Sequence, residues 1–330
     1  MSYDPQKVGC RGNWYKYEGN PVLGEDKGFC FDNHVLKIGD KYRMYFSWRN
    51  YYSIAYTESD DGLHWGERKV VLSPREDIPW EEDLNRPTLD YRDGIYRMWY
   101  SGQTSGGFNN TKWVDAYMEA SLAEGNGGGG GSVIGYAWSE DGINWNRLDE
   151  PVIVPTEPWE KRSLMCPSIL WDEEEKLYKL WYSGGGWFEP DALGYAVSPD
   201  GIHWTKPVKE PVFSPDRSVL WERAHVAGCH VIKEGDWYYN FYIGYEDLFK
   251  ARVCLARSKD GISNWERHPL NPIISAGLPG AWDCESIYKP FLVYVEELDE
   301  WRMYFNARTG TTERIGIAIH KGRDFWSDTE

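Results

Sequence analysis

The sequence predicts an all-β fold, a β-propeller of five four-stranded antiparallel blades. Three observations carry that expectation: a hairpin text that recurs along the chain, a second strand pair ahead of each copy, and a strand-like N-terminal segment that fits the last, shorter copy. The clearest hairpin is IGYAWSEDGINWNRLDEPVIVP at residues 134–155. Gly135, Tyr136, Ala137 and Trp138 alternate with strand period. Asp141-Gly142 suits a tight turn because both positions tolerate positive φ, and a second strand is expected from Trp145 to the Pro151-Val152-Ile153 run. The same text returns at 54–74, 193–215 and 253–275, with a weaker copy, IGIAIHKGRDFW, at 315–326. Such self-similarity signals stacked supersecondary units.

Taken in order, the first strand pair spans 31–38 and 41–48, joined by Gly39-Asp40. RPTLDYRDGIYRMWYSG (86–102), CPSILWDEEEKLYKLWYSG (166–184), CHVIKEGDWYYNFYIG (229–244) and KPFLVYVEELDEWRMYFNA (289–307) follow as its counterparts. Each pair and its hairpin make one blade, at about 25–78, 79–156, 157–216, 217–276 and 277–326. The last copy ends near its third strand, and NWYKYEGNPVLG at 13–24 reads as the missing fourth. The N-terminus is therefore expected to complete the last blade, giving one domain over 1–330.

Composition excludes several partners. A net charge of -16 argues against nucleic acid and anionic membranes, which demand a basic face. No apolar stretch approaches a membrane span, and MSYDPQKVGCRGNWY has no signal-peptide core, so the cytoplasm is the expected location. Six cysteines at irregular spacing give neither a zinc pattern nor a disulfide framework. The 19 Trp and 23 Tyr favour strands and a surface able to stack on flat ligands.

Propeller geometry puts the Asp-Gly hairpins on one face and the loops between second and third strands on the other, around a central funnel. Those mouth loops hold Trp48, Tyr51, Tyr52, Trp187, Phe188, Tyr245 and Phe249. An insertion between Gly102 and Ser132, with Phe108, Trp113 and Tyr117, is expected to form a wall or lid there. The Ser-x-Asp-Gly-x-x-Trp hairpins resemble the Asp-box of sialidases and are expected to be structural, since the Asp side chain can bond its own turn. Trp80-Glu81, Trp159-Glu160, Trp221-Glu222 and Trp282-Asp283 recur before the first strands, which points to packing between neighbouring blades. A site must instead be asymmetric. Aligning the blades on Pro87, Pro167 and Pro290, with His34 and His230 in their place, leaves Asp32, Asp83, Arg86, Arg162, His225, Glu285 and Lys289 as unequal charged groups facing the funnel. They suit a polar ligand or, as the plain alternative, a network pinning the blades. In this alignment the counterparts of Asp32 are Asn85, Met165, Gly228 and Tyr288.

The repeat WYSG…IGYAxSxDGIxWxxxxxxPV resembles that of the five-bladed propeller glycosidases, a group that includes glycoside hydrolase families 43, 32, 117 and 130. The likeness covers nearly the whole chain. In the hydrolases of this group, acids on the first strands of the leading blades serve as base or nucleophile, transition-state stabiliser and proton donor. Here the Glu-Cys-Pro of a family 32-like third blade is Met165-Cys166-Pro167, so the usual donor is absent. The Asp-Pro of the second blade is Arg86-Pro87, and Asp32 lies one residue from its expected acid position. Family 117 looks like a precedent for a histidine acid, pointing to His225; phosphorylases of family 130 hold phosphate on basic residues, pointing to Arg86, Arg162 and Lys289.

The expected function is therefore a glycosidase acting on a small oligosaccharide. Asp32 is the expected base, with Glu285 or His225 as proton donor. Asp83, Arg86, Arg162 and Lys289 would hold the substrate's polar groups, and Trp48 and Trp187 would stack on sugar faces. Phosphorolysis and non-catalytic sugar binding are the alternatives. No cofactor is expected. His34 and His230 are the residues able to take a structural metal ion in the funnel, although a satisfied core role is the reading preferred for both.

Overall fold

The computed structural model describes residues 4–24, 29–104, 131–186, 190–247 and 249–327. Its regular elements are strands and single turns of 3-10 helix. Strand β1 (Trp14–Lys16) precedes a meander of β2 (Cys30–Ile38), β3 (Lys41–Trp48), β4 (Ser53–Ser59) and β5 (Lys69–Leu72). Next come β6 (Asp83–Arg92), β7 (Ile95–Thr104), β8 (Gly131–Ser139) and β9 (Asn146–Arg147), then β10 (Ser163–Asp172), β11 (Leu177–Gly185) and β12 (Pro190–Ser198). The chain continues through β13 (His225–Glu234), β14 (Trp237–Tyr245), β15 (Ala251–Ser258) and β16 (Glu266–Arg267), and ends with β17 (Ser286–Val295), β18 (Glu300–Thr309) and β19 (Thr312–Lys321).

Pairing is antiparallel within each meander. The sheets are β2-β3-β4-β5, β13-β14-β15-β16, β1-β19-β18-β17 and a seven-stranded sheet holding β6 to β12. In the last, β8 meets β10 through the single parallel pair Ser132–Ser163. The N-terminal strand does pair with the C-terminal one, with Tyr15 opposite Ile319. The fourth strands are shorter than the alternation suggests. Beside β8 the extended run breaks into β9 and an isolated pairing of Ile153 with Ile134. Pro151 has no N–H to donate there, so the ladder cannot run through it.

Apolar clusters lie between consecutive meanders and hold them side by side. Tyr45, Ile54 and Leu72 pack with Trp80, Leu84, Met98 and Tyr100. Trp99, Ile134 and Tyr136 pack with Leu164, Tyr178 and Leu180. The last meander meets the first in the same way, through Phe291, Tyr304 and Ile317 against Val35, Met44 and Phe46.

The Asp-Gly hairpins are the latches of this packing. Asp141 Oδ1 accepts the N–H groups of Ile143 and Asn144, so the turn is an Asx turn rather than a two-residue hairpin, and among its central pair only Gly142 has positive φ, +77°. The Gly142 carbonyl then accepts the hydroxyl of Tyr45 from the preceding meander at 2.9 Å. Gly201 accepts Trp99 Nε1, Gly261 accepts Trp181 Nε1, and Gly62 accepts the Tyr304 hydroxyl in the same manner. A Cβ on Gly201 would stand 2.6 Å from the Trp99 ring, so the position requires glycine for space as well as conformation.

The recurring Trp-acid pairs work both ways: Trp80 and Trp221 pack against the preceding unit, as expected, while rings and acids also bond within their own unit. Trp80 stacks on Tyr100 and Trp159 on Tyr182. Glu160 accepts the Tyr182 hydroxyl at 2.6 Å and Lys206 at 2.7 Å, and Glu222 accepts Tyr242 and Arg267. A buried carboxylate needs such partners, and each comes from the second strand or the fourth-strand region of the same unit.

Candidate active site

The inner strands all bend at one place. Register shifts interrupt β2 between Phe31 and His34, β6 between Asn85 and Thr88, β10 between Met165 and Ser168, β13 between Ala227 and His230, and β17 between Tyr288 and Phe291. Each bulge holds one residue in the left-handed region: Asp32, Arg86, Cys166, Gly228 and Lys289, with φ from +49° to +55°. The extra residue re-aims its side chain, as bulges beside functional sites commonly do. Serines on neighbouring second strands fix three of them, Ser47 Oγ accepting Arg86 N–H, Ser101 that of Cys166 and Ser183 that of Gly228. The structural counterparts of Asp32 are therefore Arg86, Cys166, Gly228 and Lys289. This corrects the proline-anchored alignment by one residue in three of the blades, and Asp32 is still the sole acid in the set.

Above the bulges opens a cavity of about 510 Å³. Asp32, Glu82, Asp83 and Glu313 bring carboxyls to its wall, while Arg49, Arg86 and Arg308 bring guanidiniums. Asp32 is 3% exposed. Its Oδ2 stands 3.6 Å from Arg86 Nε, and its Oδ1 accepts Asn306 Nδ2 at 3.3 Å. Burial pushes its carboxyl above the ordinary value, against the pull of Arg86, Lys289 and Arg49. Asp83 is held by Arg49 at 2.5 Å. Glu313 accepts the Tyr288 hydroxyl. Burial raises its pKa; the Tyr288 hydrogen bond opposes that, and the charge of Asp32 adds to it.

The remaining expected residues divide. Lys289 is buried, and its charge reaches Asp32, His34 and His230. Arg162 is also buried and lies outside the cavity wall. Glu285 is exposed; its Oε2 accepts Gly310 N–H in the β18–β19 turn, and it does not line the cavity. His225 Nδ1 stands 3.2 Å from Asp191 Oδ1, and Lys161 Nζ donates to the other oxygen of that carboxylate at 2.6 Å. His225 is itself off the wall, although its cross-strand partner Tyr245 is on it. Trp48 is 7% exposed and packs in the core with Phe46, with exposed Tyr51 against its ring, and its place opposite Cys30 turns it away from the cavity. Trp187, Phe188, Phe108, Trp113 and Tyr117 lie outside the described residues.

Sequence reasoning passed over Glu313, Tyr288, Arg49 and Arg308 as site residues. Glu313 had a signal: it stands three residues before Gly316, where the other hairpins carry Tyr52, Ser132, Asp191 and Ala251. Such third-strand starts reach the mouth, as Tyr52 and Ala251 do.

Two carboxyls of different environment in one cavity can divide the work of acid and base, and the guanidiniums can hold anionic or hydroxyl groups. No group of three or more His, Cys, Asp or Glu among the described residues is placed to hold a metal ion. His34 Nδ1 accepts Leu89 N–H and His230 Nδ1 accepts Leu292 N–H, and both rings lie against Phe291, which gives these histidines packed core roles. Among the described residues, no helix is long and apolar enough to cross a membrane.

A model of glycosyl hydrolases family 43 matches residues 19–316. A thermostable family-43 glycoside hydrolase of known structure superposes with a TM-score of 0.68 at 18% identity, covering 90% of this chain and 91% of that one. An A type blood N-acetyl-alpha-D-galactosamine deacetylase of Flavonifractor plautii is 24% identical over 72% of this chain and 32% of its own length. A 1,2-beta-oligomannan phosphorylase of Thermoanaerobacter sp. (strain X514) is 33% identical over 38% of this chain and 44% of its own. The chain thus spans less than half the length of either of these two relatives.

Proposed function

The chain belongs to glycosyl hydrolases family 43, and from that membership and the charges of the cavity we propose that it hydrolyses a glycosidic bond in a small oligosaccharide. One observation carries the reading: Asp32 is the sole acid among the five bulge residues, on the cavity wall and beside Arg86. In this role Asp32 takes a proton from water as the water oxygen attacks the anomeric carbon. Arg86 favours the charged form of that carboxyl against the burial that raises its pKa, and Asp83, oriented by Arg49, holds sugar hydroxyls. Tyr52 and Tyr245 on the wall offer apolar faces to a sugar ring.

Phosphorolysis is the second reading, favoured by Arg49, Arg86 and Arg308 on the same wall. The test is incubation with mannosides, arabinosides and galactosides, with and without phosphate, alongside Asp32→Asn. Release of free sugar without phosphate, reduced about 10²–10⁴-fold in the variant, is the expected result. A sugar 1-phosphate would favour phosphorolysis. Binding without turnover by the wild type would make the chain a carbohydrate-binding propeller.

We read the seven-stranded sheet as two blades, since a single residue pair joins its halves; the propeller then has five blades in one domain, closed by residues 13–24. No disulfide links the six cysteines, which supports a reducing compartment such as the cytoplasm.

A further inference from the structure

We propose that Glu313 is the proton donor of this reaction, delivered to the cavity by the third strand of the last sheet. The proposal rests on the reading that the cavity cleaves glycosidic bonds. Such cleavage needs an acid on the leaving oxygen, and the first strand of the third unit brings Met165 and Cys166, not a carboxyl, to the wall. Of the four carboxyls on the wall, Asp83 is committed to Arg49 at 2.5 Å, Asp32 faces Arg86, and Glu82 is exposed. Glu313 differs. It is half-buried, and its hydrogen-bonded partner is the neutral hydroxyl of Tyr288 rather than a cation.

Its position is not one the repeat imposes. Glu313 pairs with Arg308 across β18 and β19, and its counterparts in the other units are Tyr52, Ser132, Asp191 and Ala251. Asp191 is the other acid of this set, but it is bound by Lys161, faces His225 and lies off the cavity wall, so no packing role common to the units explains Glu313. Burial raises the pKa of both Glu313 and Asp32, but the groups beside them differ. Around Asp32 burial is opposed by Arg86, Lys289 and Arg49, whereas around Glu313 it is opposed first by the Tyr288 hydrogen bond and reinforced by the charge of Asp32. A carboxyl bonded to a neutral hydroxyl suits the acid, and one beside a guanidinium suits the base.

The step balances. The carboxylic proton of Glu313 passes to the glycosidic oxygen as its bond to the anomeric carbon breaks. Water supplies the new bond to that carbon and leaves its proton on Asp32. Exchange with solvent then returns the proton to Glu313 and removes the one on Asp32.

The test uses whichever glycoside the wild type hydrolyses, prepared with dinitrophenyl, nitrophenyl and methyl leaving groups. Glu313→Gln is expected to lose about 10²–10⁴-fold in kcat/KM on the methyl glycoside and little on the dinitrophenyl one, whose leaving group needs no proton. The alkaline limb of its pH profile should vanish. Asp32→Asn should lose rate on all three. Tyr288→Phe, which removes the hydrogen bond that lowers Glu313, should move the alkaline limb to higher pH and guards against a misfolded Gln variant. Equal losses across leaving groups, or a limb that stays in place in both variants, would overturn the assignment while leaving the hydrolase reading intact. A wild type that cleaves no glycoside would overturn both.

Discussion

Tyr304 donates its phenolic hydrogen bond to the carbonyl of Gly62 at 2.9 Å, joining the last sheet to the turn of the first across 242 residues of chain. The same aromatic-to-glycine latch links the earlier meanders, so the contact that ends the series is built like those within it. The second element of that closure is β1, whose Lys16 makes a buried ion pair with Asp283 at 2.6 Å.

Deleting residues 1–24 removes β1, bares the edge of β19 and leaves Asp283 without its cation. Loss of a buried partner costs about 3–5 kcal/mol, and a bared edge invites association. The truncated chain is expected to melt well below the full chain and to aggregate. Cooperative melting at the unchanged temperature would show that closure contributes little.

Glu222 is fully buried, accepting Tyr242 on one side and Arg267 on the other. Glu222→Ala strands both donors, and Arg267 keeps an uncompensated charge. Urea unfolding is expected to show a loss of about 3–5 kcal/mol. The same change at exposed Glu285, whose bond is to one turn N–H, should cost less than about 1 kcal/mol. Similar costs at both sites would contradict the assigned role of the buried acid.

Trp48 separates stacking from packing. A sugar-stacking residue would change KM when removed. A core residue changes stability, by about 3–5 kcal/mol for a large aromatic cut to alanine. Because Trp48 packs with Phe46 and Tyr51, Trp48→Ala is expected to lower Tm and leave KM near the wild-type value where the variant is folded. A raised KM at unchanged Tm would return it to the ligand surface.

The Asp32–Arg86 pair predicts a pH shift of definite sign. A general base works ionised, so activity falls as pH drops through its pKa. Arg86 is the foremost of the charges that lower that pKa, against the burial that raises it. Removing the guanidinium in Arg86→Gln therefore raises the pKa, and the acid limb of kcat/KM is expected to move to higher pH. A limb that does not move would separate Arg86 from the ionisation of the base.

What was legible in the sequence is local. Strand alternation, Asp-Gly turns and the recurrence of both fix β-meanders and their order, because backbone geometry within a hairpin depends on residues a few positions apart. Asp32 was legible too, as an acid where the repeat has none. The rest depended on tertiary structure. A bulge adds one residue and re-aims every side chain at that point, and nothing in the alternation of Phe31 to Leu36 marks where it falls. That is why alignment on Pro87, Pro167 and Pro290 paired Asp32 with Asn85 rather than Arg86. Trp48, at the same mouth as Tyr52, turned inward because a strand's two faces differ only by which neighbour they meet. Glu313 and Asp32 are 281 residues apart in the chain, and only packing of the last sheet against the first brings both to one cavity. The sequence thus determined the repeating units and their order; the ring they close decided which charges meet, since convergence at a mouth is a property of the assembled sheets and not of any one strand.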